Sequence, residues 1–189
     1  MTRMNYFLGF LLISALFPFS ASQASAQDEV QDILIGAELT SGLDMGVNSS
    51  RGRTDWLESE NADFIMSYPA NQSWGAVFIT VGKPTDPPRP SRDFSAYRTL
   101  SIEMKGGPGS RTIDIGIKTN TQRDDGNETK KTVTLTQDWQ VYEFSLSDFK
   151  GADLSRLYVV TEFVFAGSQP QTVYFRNIKY LRRDPRPTR

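Results

Sequence analysis

Two stretches of the chain, Arg98 to Lys105 (RTLSIEMK) and Thr112 to Thr119 (TIDIGIKT), carry an aliphatic residue at every second position. Successive side chains of an extended strand point to opposite faces, so Leu100, Ile102 and Met104 share one face while Ser101, Glu103 and Lys105 share the other. Ile113, Ile115 and Ile117 oppose Asp114, Gly116 and Lys118 in the same way. A helical period would scatter these residues around a cylinder, so the pattern predicts strands with one dry and one wet face.

The rest of the chain continues in this grammar. Asp32–Glu38, Thr54–Leu57, Ala62–Tyr68, Trp74–Val81, Lys130–Leu135, Gln140–Leu146, Leu157–Phe165 and Thr172–Leu181 are rich in β-branched and aromatic residues and are parted by Gly, Pro, Asn, Asp and Ser. The run WGAVFITV from Trp74 reads as a strand buried on part of both faces. Thr40–Arg53, with its Gly, Ser and Asn, reads as a long loop, and Glu58 and Glu60 as loop residues. KPTDPPRPSR holds four prolines and reads as a connection. Asp93 is placed to cap one helical turn, Phe94–Tyr97. Gly106-Gly107-Pro108-Gly109 is expected to join its two flanking strands as an antiparallel pair, and a second hairpin is expected over Gln122–Thr129 with Asp125-Gly126-Asn127 at its tip. About ten strands and no long helix predict an all-β sandwich of two antiparallel sheets.

Met1–Ala26 reads as a secretory signal: Arg3, an apolar run from Phe7 to Phe19, and Ala24-Ser25-Ala26 before Gln27. The expected organisation is a signal over residues 1–26, a β-sandwich over 27–181 and a flexible basic tail over 182–189, with export to the periplasm or the medium. Without the first 26 residues the chain keeps 20 basic and 22 acidic residues, a near balance that offers no broad cationic field for nucleic acid. No later run is long and apolar enough for membrane insertion.

The residue inventory closes off much chemistry. The chain has no His and no Cys, which removes imidazole triads, His- or Cys-ligated metals and thiol nucleophiles. Carboxylates remain, and a pair such as Asp114 with Glu162 keeps a glycoside hydrolase in view. Asp124-Asp125-Gly126-Asn127-Glu128 is too short for a twelve-residue calcium loop.

A Trp at 139, a strand leading into Leu146-Ser147-Asp148-Phe149, the turn Gly151–Leu157, an apolar strand, and a closing Val173-Tyr174-Phe175-Arg176-Asn177-Ile178 resemble the C-terminal half of jelly-roll carbohydrate-binding modules with the galactose-binding-like fold. Family 11, family 4/9 and the intermediate-associated domain of complex I assembly are the kin named by this resemblance. It implies a jelly-roll sandwich and a structural place for Trp139. Many such modules hold a structural calcium through an Asp before the residue equivalent to Asn177; here that position is Arg176, whose charge repels a cation, so no cofactor is expected.

A saccharide offers apolar ring faces and a rim of hydroxyls, so its site needs a flat aromatic and short polar groups. Trp56 and Trp74 are the aromatic candidates. Asp114, Lys118 and Asn120 fall on the face away from the isoleucines, and Tyr158 and Glu162 share a face of their own strand. The leading expectation is an exported, non-catalytic protein binding a polysaccharide or oligosaccharide on a sheet face or at loop tips through these seven residues. The alternatives are a structural or assembly protein that meets a protein partner with the same sandwich, and a carboxylate glycosidase.

Overall fold

A computed structural model of the chain describes residues 30–110 and 112–186. The expected signal, residues 1–26, and the last three residues of the expected tail lie outside the described residues. Twelve strands are described: β1 (Val30–Ile35), β2 (Glu38–Leu39), β3 (Leu43–Ser49), β4 (Leu57–Glu60), β5 (Asp63–Tyr68), β6 (Trp74–Val81), β7 (Thr99–Gly106), β8 (Thr112–Thr119), β9 (Lys130–Thr134), β10 (Gln140–Ser145), β11 (Leu157–Ala166) and β12 (Gln171–Leu181). All paired strands run antiparallel, in a sheet of seven strands and a sheet of five. The fold is an all-β sandwich.

β12 is the spine of the larger sheet. One of its edges pairs with β7 along most of its length; the other is shared, with Gln171–Phe175 taking β5 and Ile178–Leu181 taking β1. The handover falls at Asn177, which has φ 48, accepts from the Gly36 N–H at 2.9 Å and donates to Glu103 Oε2 at 2.8 Å. Asn tolerates the left-handed region better than most residues, and its amide fills the gap in the ladder. The smaller sheet runs β3-β6-β11-β8-β9.

The core lies between the sheets. Ile113, Ile115 and Ile117 are buried against Ile102, Met104, Phe163, Phe165 and Phe175, in agreement with their spacing. Tyr68 stacks on Phe165 at 4.9 Å between ring centres. Tyr180, fully buried, donates its hydroxyl to the Val160 carbonyl at 2.6 Å, which meets the polar demand of a phenol in an apolar interior.

Several expectations are corrected. Residues 40–53 contain β3, the edge strand beside β6; Leu43, Met45 and Val47 face the core at period two, a pattern masked by the intervening Gly and Asn. Glu58 and Glu60 lie on β4. β7 and β8 are not partners: β7 pairs with β10 and β12, β8 with β11 and β9, so the glycine segment carries the chain from one sheet to the other. Gly106 and Gly107 donate to the carbonyls of Thr136 and Thr172 as the chain crosses. Residues 122–129 form no strand but a long connection from β8 to β9. Phe94–Tyr97 is a single turn closed from Tyr97 N–H to Phe94 O at 3.0 Å, with Asp93 accepting from Ser95 N–H at 2.8 Å.

Candidate functional site

The outward face of the five-stranded sheet carries the site. Strand register aligns Gly46, Phe78, Glu162, Gly116 and Lys130 in one row across it, and Asn48, Ala76, Val164, Asp114 and Thr132 in the next. The two glycines of the first row make it work. A Cβ at Gly46 would meet the Phe78 ring, and one at Gly116 would come within 2.5 Å of Glu162 Oε1. Both neighbours therefore lie down over a strand position that has no side chain instead of standing away from the sheet.

Above this face opens a cleft of about 750 Å³. Its apolar part is built by β6 and β11: Trp74, Ala76 and Phe78 alternate outward from β6, and Val164 stands beside Ala76. Trp74 is 42% exposed, an uncommon state for an indole on a sheet. Trp74 and Phe78 are four residues apart, about 13 Å along the strand, so they offer two separate apolar platforms.

The other part of the cleft is charged. Two loops, 82–92 and 120–129, close over it and are clasped by Arg89. This guanidinium is buried and donates to Thr85 O (3.0 Å), Gln122 O (3.0 Å) and Asp124, and stacks over the Tyr158 ring at 4.9 Å. Tyr158 in turn accepts from the Thr85 N–H at 2.9 Å. Lys118 Nζ lies 3.3 Å from Asp124 and 3.4 Å from Glu128, and Lys130 Nζ lies 2.5 Å from Glu128.

Glu162 is a buried acid of this cluster, 5% exposed, and its Oε1 has no hydrogen-bond partner among the described residues. Burial first, and then the charge of Glu128, push its carboxyl up to about 7 against the pull of Lys118 and Lys130. Burial acts on Glu128 as well, yet hydrogen bonds from Lys130 and Glu162 and the charge of Lys118 hold it at about 2. Lys118 is raised: burial opposes its charge, but Glu162, Glu128 and Asp124 together outweigh it.

Four of the seven residues anticipated from sequence, Trp74, Lys118, Tyr158 and Glu162, line this cleft. Tyr158 and Glu162 keep the shared side that their spacing gives them, but β11 is irregular between them, and Val160, which strict alternation would put beside them, is in the core. Asp114 is beside the cleft, not in it: it neighbours Val164 and accepts from Thr132 Oγ1 at 2.5 Å. Asn120 stands behind the loop, its amide reaching Arg89 O at 3.3 Å and Ser91 Oγ at 3.4 Å. Trp56 is corrected outright. It is 2% exposed, wedged edge-on against Tyr68 and Phe165, with its N–H donated to Arg53 O at 3.0 Å.

Sequence reasoning passed over Phe78, Arg89 and Glu128. The signal for Phe78 was present, since 74, 76 and 78 share a face by simple alternation. Arg89 and Glu128 carried none, because each acts from a loop that only the folded chain brings to the sheet. Trp139, just before β10, sets its ring against the other sheet, with Arg176 at 4.1 Å and Lys105 at 4.9 Å from its ring centre.

Solved structures of family 29 carbohydrate-binding modules are similar in fold. A mutant complexed with mannohexaose matches with TM-score 0.58 and 13% identity, over 82% of this chain and 93% of that one. A mutant complexed with cellulohexaose matches with TM-score 0.58 and 13% identity, over 83% and 93%. No curated protein matches the chain. The resemblance to families 11 and 4/9 stands at the coarser level of a carbohydrate-binding β-sandwich, since the family model that matches is a different one. That model, carbohydrate binding domain 30, covers residues 36–182, from the turn after β1 to the end of β12; the chain belongs to this family and is a non-catalytic carbohydrate-binding domain.

Proposed function

We propose that a glycan chain lies along the cleft of the five-stranded sheet, its ring faces on Trp74 and Phe78 and its hydroxyls toward Lys118, Glu162 and the clasped loops. The observation that carries this reading is a 42% exposed indole in one cleft with Phe78 and with the charged groups of Lys118 and Glu162. A sugar ring satisfies both: its C–H face covers apolar surface, and its hydroxyls bridge donors and acceptors. Cellohexaose and mannohexaose are suitable probes, being ligands of the structural neighbours. Calorimetric titration of both is expected to give binding to the full chain, and loss of it in Trp74→Ala; equal affinity in that variant would remove the cleft as the site.

The site is proposed to work without a bound metal, because Arg89, Lys118 and Lys130 already supply the cations that its acids require. Glycan affinity measured with and without EDTA is expected to be the same. Export is proposed from the signal pattern of residues 1–26, and N-terminal sequencing of the mature protein, expected to begin at Gln27, tests it.

A further inference from the structure

We propose that Glu162 and Glu128 share one proton on the floor of the cleft, and that this proton holds the β8–β9 connection down as a wall of the glycan site, so that affinity follows the protonation of the pair. The inference rests on the cleft being the glycan site.

Two buried oxygens lead to it. Glu162 Oε1, on a residue 5% exposed, has no hydrogen-bond partner among the described residues, and Glu128 Oε2, on a side chain 4% exposed, makes no hydrogen bond and has only the Lys118 ammonium at 3.4 Å. Buried carboxylate oxygens left without a hydrogen bond are costly. A proton carried by Glu162 and donated to Glu128 satisfies both groups at once, as for paired carboxyls that cannot both ionise.

The charged and titratable groups around the pair are few. β8 brings Lys118, with Asp114 further along the same face; β9 brings Lys130; β11 brings Tyr158; the 120–129 loop brings Glu128, Asp124 and Asp125; the 82–92 loop brings Arg89 and Asp86. β6 presents only Phe78 and Thr80 there. Lys130 is taken by Glu128 and Arg89 by Asp124, and Lys118 makes ion pairs with Asp124 and Glu128 while also feeling the charge of Glu162. The pull of these cations on Glu162 is weaker than the effects of burial and of Glu128. Loss of the proton therefore sets two buried carboxylates against each other. Glu128 is the member on a loop, and it is the one that withdraws, against the hold of Lys130 and Lys118. Gly116 supports the arrangement, because any side chain there would displace the Glu162 carboxyl.

Two measurements test this. Carbon-13 NMR of the Glu carboxyls should show one group titrating near pH 7 in the full chain, absent in Glu162→Gln. The Kd for cellohexaose and mannohexaose should weaken at least about fivefold between about pH 6 and about pH 8.5, because the competent form then becomes the minor one. In Glu162→Gln the ratio of the two Kd values should fall to about one, since the amide donates at either pH; Glu128→Gln should flatten the ratio as well. A pH-independent Kd in the unmodified chain, or an undiminished ratio in Glu162→Gln, overturns the proposal, as does a highest carboxyl midpoint below about pH 5. If neither hexaose binds at any pH, it is the cleft reading that fails, and the carboxyl titration still decides whether the proton is shared.

Discussion

Trp56 and Trp74 show how differently two copies of one residue type serve this domain. Trp56 fills space between Tyr68 and Phe165 with its only polar atom satisfied, whereas Trp74 leaves two fifths of its surface open above the sheet. Trp56→Ala is expected to cost about 3–5 kcal/mol of stability, as large aromatics in cores do. Trp74→Ala should leave the melting temperature nearly unchanged and weaken hexaose binding by about tenfold, about 1.4 kcal/mol of lost ring contact. Melting curves and titrations on both variants separate the roles. At Gly46, Val would collide with Phe78 and lift the ring from the sheet. Gly46→Val should therefore weaken binding by a similar factor while keeping the fold, since β3 is an edge strand and the collision is with a ring on the outward face, away from the core.

At the level of elements, the site depends on two loops held by one guanidinium. Arg89 links residues 82–92 to 120–129, and through Tyr158 to β11. Its removal leaves the carbonyls of Thr85 and Gln122 without their donor and the Tyr158 face uncovered. Arg89→Ala is expected to raise amide hydrogen exchange across both loops and to weaken glycan binding, with exchange in β6, β8 and β11 unchanged. Faster exchange spread through the strands would instead make Arg89 a residue of the core.

For the whole molecule, the acids set the response to pH. An unfolded Glu162 titrates near the ordinary 4.5, but in the fold it titrates at about 7. Between these values the folded state holds the extra proton, so stability is greatest below the lower value and falls as pH rises through the upper one. Glu128, held at about 2, acts in the opposite sense and loses its contribution as pH falls from about 4.5 toward 2. Glu103, held low mainly by its hydrogen bond from Arg176, and Glu143, held low mainly by Arg183, add to that acid-side loss. The melting temperature is expected to be highest near pH 5 and to decline toward pH 8. Glu162→Gln should flatten the alkaline decline and leave the acid side as it was; scanning calorimetry of both proteins across this range is the check.

The sequence by itself determined the class of fold, the identity of most strands and the inward face of each. Period-two burial is a local property, and Ile113, Ile115 and Ile117 obey it whatever their neighbours. It also placed Trp74, Lys118, Tyr158 and Glu162 among the residues of interest. Tertiary structure alone decided which strands are partners, because an amphipathic strand reads the same whether its dry face meets another across the core or lies beside it in one sheet. That is why β7 and β8 could be mistaken for a hairpin, and why Trp56, indistinguishable from Trp74 by composition, belongs to the interior. It alone decided the charged half of the cleft as well, since Arg89 and Glu128 reach the sheet from loops whose positions depend on long-range ion pairs that no local pattern encodes.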